Sequence, residues 1–132
     1  MDKKSFDKSS RLVKNKQFKA VLEHKCFSRN ELMTLYVSGN TVGHARFGVS
    51  LSKTVGSAVV RNRLKRLGRE AFRDCRDKID QNYDFLVIYS RNLTKKTKSE
   101  LMKTSIEDVK KSFLELSGKA ISKLAQRNIS GN

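Results

Sequence analysis

The sequence has no run of about 18 apolar residues, the length a helix needs to cross a membrane, so no membrane partner is expected. Cysteine is scarce. Cys26 and Cys75 stand far apart, which makes neither a disulfide framework nor a zinc cluster, and both are read as reduced, partly buried thiols. His24 and His44 are the only histidines, and neither stands at a metal-ligand spacing. A phosphate-binding Gly-rich loop, a nucleophile elbow and a clustered acidic set for two-metal chemistry are all missing, so no protein-borne active site is expected. Proline and tryptophan are absent too, which excludes little. The opening Met1-Asp2-Lys3-Lys4-Ser5 lacks the apolar core of a secretory signal, and a cytoplasmic location is expected. Acidic residues are outnumbered. Asp+Glu is 13 against Lys+Arg 29, a formal net charge of +16. Asp77, Asp80 and Asp84 are read as solubilising residues around a turn. A surface so charged repels itself unless an anion neutralises it, so the expected partner is a polyanion.

The 132 residues suffice for one domain with a real core and not for two ordinary ones. Residues 1–10 read as a flexible basic tail, 11–117 as the domain, and 118–132 as a partly helical C-terminal tail. Asn15 is placed to cap a first helix, in which Phe18, Val21 and Leu22 share one face. Residues 25–27 suggest a short extended piece. Two strands follow over 32–37 and 46–51, and the 38–45 connection is expected to pair them. A second helix spans 57–76. Residues 83–89 form the strongest strand, with a continuous apolar middle suited to a central, doubly covered position. A third helix is expected over about 97–116, with Met102, Ile106, Val109, Phe113 and Leu116 as its buried stripe. Gly118 should weaken it, although Ile121, Leu124 and Ala125 could extend it, and Ser130-Gly131-Asn132 should fray. The class is α+β.

The second helix carries the clearest signal. With Arg61 at zero and about 100° per residue, Lys65, Arg69, Arg73 and Arg76 fall at about 40°, 80°, 120° and 60°. Asn62 and Arg66 follow at about 100° and 140°, while Val60, Leu64, Leu67, Ala71 and Cys75 gather between about 240° and 320°. One reading is a solvated charged face. Such faces usually mix signs, because like charges at i,i+4 repel. The other reading is an anion site, for which arginine forks suit phosphates and exposed bases. The first-turn amides after Gly56 and Ser57 offer a further phosphate contact.

Residues 52–73 contain Lys53, then Ala58-Val59, Arg61-Asn62-Arg63, Lys65-Arg66, Arg69 and Arg73. This arrangement resembles the RNR motif of the bacterial ribonuclease P protein family. Upstream, Arg11-Leu12, Lys14-Asn15 and Phe18 resemble that family's opening helix. Phe47-Gly48-Val49-Ser50 resembles its strand leading into the motif, and the likeness spans about residues 11–116. The resemblance implies the protein subunit of an endoribonuclease that removes the 5′ leader from precursor tRNA. Catalysis would lie in the RNA subunit, with Mg²⁺ bound mainly by that RNA and one protein per RNA. It implies RNA contacts by Lys53, Arg61, Asn62, Arg63, Lys65, Arg66, Arg69 and Arg73. The leader would lie between the sheet and the first helix, against Arg11, Lys14, Phe18, Leu22 and Tyr36, where a single strand finds aromatic surfaces beside cations. The alternative for Phe18 and Tyr36 is an ordinary core position. Leu22 stands where the family commonly has a second aromatic. Tyr89 stands where it usually has a small residue, which would alter the cleft wall. The fold implied is a single-domain α/β sandwich with a small mixed sheet and three helices, like domain 2 of ribosomal protein S5. Its βαβ crossover is left-handed, whereas pattern alone leads to the right-handed form. Two other readings compete: a ribosomal or general RNA-binding protein, and a protein nuclease, which the missing carboxylate and histidine constellation disfavours.

Overall fold

The structure is a computed structural model that describes residues 10–12 and 15–129. The elements in chain order are α1 (Asn15–Glu23), β1 (Phe27–Arg29), β2 (Met33–Gly39), β3 (Arg46–Ser50), α2 (Ala58–Cys75), β4 (Tyr83–Tyr89), α3 (Lys98–Met102) and α4 (Ile106–Ile129). Apart from Ser10, the tail assigned to 1–10 lies outside the described residues, as do Lys14 and the capping side chain of Asn15.

The four strands form one mixed sheet in the order β1-β2-β4-β3. β4 is antiparallel to β2 and parallel to β3. The expected pairing of the 32–37 and 46–51 strands does not occur. The physical reason lies in β4, whose middle is buried on both faces and which therefore takes the centre. Phe85, Val87 and Tyr89 face one core, and Leu86 faces the other. A parallel β3–β4 pair requires a crossover, and α2 supplies it. Asp84 holds the junction. It is 5% exposed and accepts two bonds from the Arg46 guanidinium, each 2.8 Å, and one from Asn40 Nδ2 at 2.8 Å. The carboxylate in turn raises the Arg46 pKa. Asp84 is thus a buried tie between β4, β3 and the residue that follows β2, not a solubilising turn residue.

Two cores lie on opposite faces of the sheet. The larger sits between the sheet and α2 and α4, around Phe47, Phe72, Phe85 and Phe113. The smaller sits under α1, where Leu12, Val21 and Leu86 are buried and Phe18, Tyr36 and Ile88 pack at the margin. Beyond β3, Arg11 bridges to Phe47 in parallel, and Leu12 N donates to Phe47 O at 2.9 Å.

The expected third helix is two helices. Thr97 and Glu100 form a capping box that starts α3. Ser105 and Asp108 cap each other's amides at the start of α4. Each box satisfies first-turn amides, so each begins a new helix. The break shifts the register, so Leu101 is buried while Met102 is exposed. Val109, Phe113 and Leu116 keep their expected buried positions. α4 then runs through Gly118 and buries Ala120 and Leu124. No tail begins at 118. Nothing lies within 4 Å of a Cβ placed on Gly118, which faces open space, so the helix pays only a propensity penalty there.

Candidate nucleic-acid interface

α2 begins at Ser57, whose side chain accepts from the Val60 amide. Gly56 precedes it at φ +60, a conformation that favours glycine. The buried arc is wider than the wheel predicts. Phe72, on the edge of the cationic arc, turns its ring into the core and carries the Arg76 guanidinium 5.1 Å from its centroid. The remaining cations divide by what they touch. Arg61 Nη1 donates to the carbonyls of Lys53 and Gly56, both at 3.0 Å, and so holds the loop that presents exposed Lys53. Arg63 leaves the stripe. Its Nη2 donates to Thr104 O at 2.9 Å, at the break between α3 and α4. Asn62 and Arg66 are exposed, and with Val59 and Met102 they line a shallow hollow of about 380 Å³. Lys65 and Arg73 are half-buried, and Arg69 is exposed. Asp74 pairs with Lys110 of α4 at 3.1 Å and more loosely with Arg73 of the stripe at 4.0 Å, so one acid borders the stripe at its Arg73 end.

Arg69 and Arg11 line one cavity of about 150 Å³ together with Leu12, Phe18 and Gly48. The cationic stripe and the α1 side therefore meet there. Phe18 is half-buried, and its ring edge lies so close to Gly48 that a Cβ there would sit 2.8 Å away. It is part core and part rim. Leu22 is 38% exposed on the same helix.

α1 has nine residues and covers one end of its sheet face only. The rest of that face opens into a cleft of about 640 Å³, lined by Arg29, Thr34, Tyr36, Ile88, Ser90 and Arg91 among others. Tyr36 is half-buried in it and stands directly opposite Phe27 in the sheet register, with ring centroids 5.1 Å apart. Tyr89 does not alter this wall with its ring. It is 3% exposed in the opposite core, where its hydroxyl donates to Leu64 O at 2.7 Å. Burial raises its pKa.

Of the residues singled out from the sequence, the structure brings Arg11 and Phe18 of the leader set together with Arg69 of the RNA set, and places Tyr36 in the separate, larger cleft. Sequence reasoning misses Phe27, Arg29 and Arg91. The signal for the first two is the alternation in Phe27-Ser28-Arg29, exposed, buried, exposed, before the Asn30-Glu31 turn. An antiparallel return puts Phe27 and Arg29 on the face of Tyr36 and Thr34. Among the described residues, no three His, Cys, Asp or Glu gather where they would hold a metal ion, and no helix is long and apolar enough to cross a membrane.

The profile of the Ribonuclease P family matches residues 6–114. Ribonuclease P protein components of Bacillus mycoides and Bacillus cereus are 36% and 35% identical over 109 residues, which is 82% of this chain and 95% of each relative. The ribonuclease P protein of Thermotoga maritima superposes with a TM-score of 0.69 at 26% identity, covering 80% of this chain and 92% of that one. That of Staphylococcus aureus gives 0.68 at 26% identity, covering 83% and 93%.

Proposed function

The chain belongs to the ribonuclease P protein family, and from that premise we propose that it binds two RNAs at once. The catalytic RNA of ribonuclease P lies along α2, and the 5′ leader of precursor tRNA lies against α1 and the open sheet face beside it. The observation that carries this reading is the meeting of the two surfaces at Arg11, Phe18 and Arg69. A protein joining a structured RNA to a single strand needs a cationic track that leads into stacking surfaces. The track consists of Lys53, Asn62, Lys65, Arg66, Arg69 and Arg73. Arg61 acts through the loop it holds, and Arg63 at the α3–α4 break. Phe18, Leu22 and Tyr36 form the leader wall with Arg11, to which Phe27, Arg29 and Arg91 are added; Lys14, outside the described residues, stays a leader contact by the family resemblance alone.

The protein's role is to bind and orient. Mg²⁺ in this proposal is bound mainly by the RNA. Hydrolysis of the phosphodiester takes place on that RNA, with one protein per RNA, in the cytoplasm.

The test mixes the protein with a bacterial ribonuclease P RNA, precursor tRNA and low Mg²⁺. Leader cleavage stimulated by the protein is expected. RNA binding without stimulation would reduce the protein to a general RNA binder. Cleavage in the absence of the RNA subunit would make it a nuclease in its own right.

A further inference from the structure

The end of α4 makes contacts that the leader-binding reading does not use. Ala120, Lys123, Leu124 and Arg127 recur at i, i+3, i+4 and i+7, so they share one helical face. Ala120 and Leu124 are buried. Lys123 and Arg127 reach the segment that links α1 to β1. Arg127 Nη1 donates to His24 O at 3.0 Å, and its Nη2 donates to Lys25 O at 3.2 Å. Lys123 Nζ donates to Phe27 O at 2.9 Å. Between these, Cys26 Sγ donates to Ala120 O at 3.2 Å.

That segment needs holding. Lys25 has φ +57, the one described residue other than glycine with a positive φ. A side chain in this left-handed region is strained, and glycine is the usual occupant just past a helix end. The carbonyls at a helix end lack partners within the helix and favour a cation. The Arg127 fork bonds to two carbonyls at this point. The same helix face then reaches the residue behind the cleft wall, because Lys123 Nζ lies 5.8 Å from the centroid of the Phe27 ring. Phe27 in turn packs on Tyr36. The match to the family profile ends at residue 114, so these two side chains lie beyond it.

We propose that Lys123 and Arg127 are positioning residues for the leader cleft. By binding the carbonyls of His24, Lys25 and Phe27, they hold the end of α1 against the start of β1. They thereby set the Phe27–Tyr36 wall that receives the leader. This rests on the leader-binding reading above.

The experiment uses the holoenzyme reconstituted with Arg127→Ala, Arg127→Lys and Lys119→Ala. Lys119 is an exposed cation of the same helix that holds none of these carbonyls, so it controls for lost charge. Affinity is measured for precursor tRNA with a leader several nucleotides long and for mature tRNA. Hydrogen exchange of the His24 and Lys25 amides is followed in the free protein. Arg127→Ala should weaken the leader-bearing precursor about fivefold, which is about 1 kcal/mol. Mature tRNA affinity and turnover at saturating precursor should be unchanged, and the two amides should exchange faster. Arg127→Lys, which keeps the charge without the fork, should recover only part of the loss. The proposal is overturned if exchange is unchanged, if exchange rises with no leader-specific loss, if the lysine variant recovers fully, or if Lys119→Ala loses as much. A wild-type holoenzyme that binds both tRNAs equally would overturn the leader-binding reading itself, and this proposal with it. In that case faster exchange in Arg127→Ala would still mark the clamp as a fold contact.

Discussion

Tyr89 and Phe18 lie on opposite faces of the sheet, and each is answerable to a different measurement. The Tyr89 hydroxyl is held neutral in the core by burial, with its pKa raised above the ordinary 10.0. A folded pKa above the unfolded one means stability is fully present below about pH 10 and is lost as pH rises through the folded value. Tyr89→Phe should cost about 1 kcal/mol at neutral pH through the lost bond to Leu64 O. It should also flatten part of the alkaline loss, which melts in a pH series from 7 to 11 would record against wild type. Phe18 is half-buried, so alanine there should do two things. It should lower the melting temperature, by less than the roughly 3–5 kcal/mol of a fully buried phenylalanine. It should also weaken leader-bearing precursor tRNA by about 1–3 kcal/mol while sparing mature tRNA. Equal loss for both tRNAs would make Phe18 a core residue only. The cationic arc of Arg61, Lys65, Arg69 and Arg73 was legible because 3.6-residue periodicity is local, while Arg63 was named only through the family motif. The individual roles of the arginines were not legible, since Arg61 and Arg63 bond to carbonyls eight and 41 residues away.

α2 separates packing from binding along its own length. Leu67→Ala should cost about 2–5 kcal/mol, because Leu67 is buried against the sheet. Arg69→Ala should leave the melt unchanged and weaken the RNA subunit, because Arg69 is exposed beside the small cavity. Thermal melts and RNA titrations on the two variants check this, and Arg69→Ala is a cleaner probe than Arg61→Ala, which also frees a loop. In α4, Gly118→Ala should stabilise the protein by about 0.5–1 kcal/mol, because a Cβ there meets nothing and alanine is the better helix former. A higher denaturation midpoint with an unchanged slope would record it. Both capping boxes were readable in the sequence as Thr97 to Glu100 and Ser105 to Asp108. An unbroken apolar periodicity masks them, because Met102 continues the spacing across the break. Gly118 misleads for the converse reason: a weak propensity is overridden by the burial of Ala120 and Leu124 beyond it.

With a formal net charge of +16, binding to RNA should depend steeply on salt, since each neutralised phosphate releases counterions. About five such contacts would weaken binding by roughly two to three decades between 50 and 200 mM salt. Titrations across that range test it, and a flat dependence would remove the electrostatic account. The existence of β2, β3 and β4 was legible from alternation and apolar runs, whereas the short extended piece expected at 25–27 overlaps β1, Phe27–Arg29, at Phe27 only. The sheet order was not, because the neighbour of β4 is decided by burial on both its faces and by a crossover longer than any local pattern. The aromatic pair Phe27–Tyr36 was hidden for the same reason: it exists only once two strands find their register. One feature of that sheet bears on handling the protein. Its outer strands are poor templates: β1 has three residues, and β3 is flanked by Arg11 and Leu12. An unpaired edge invites the strands of other molecules. A protein shortened past Leu12 would bare β3, and once RNA or salt had quieted its charge, it would be prone to aggregate edge to edge.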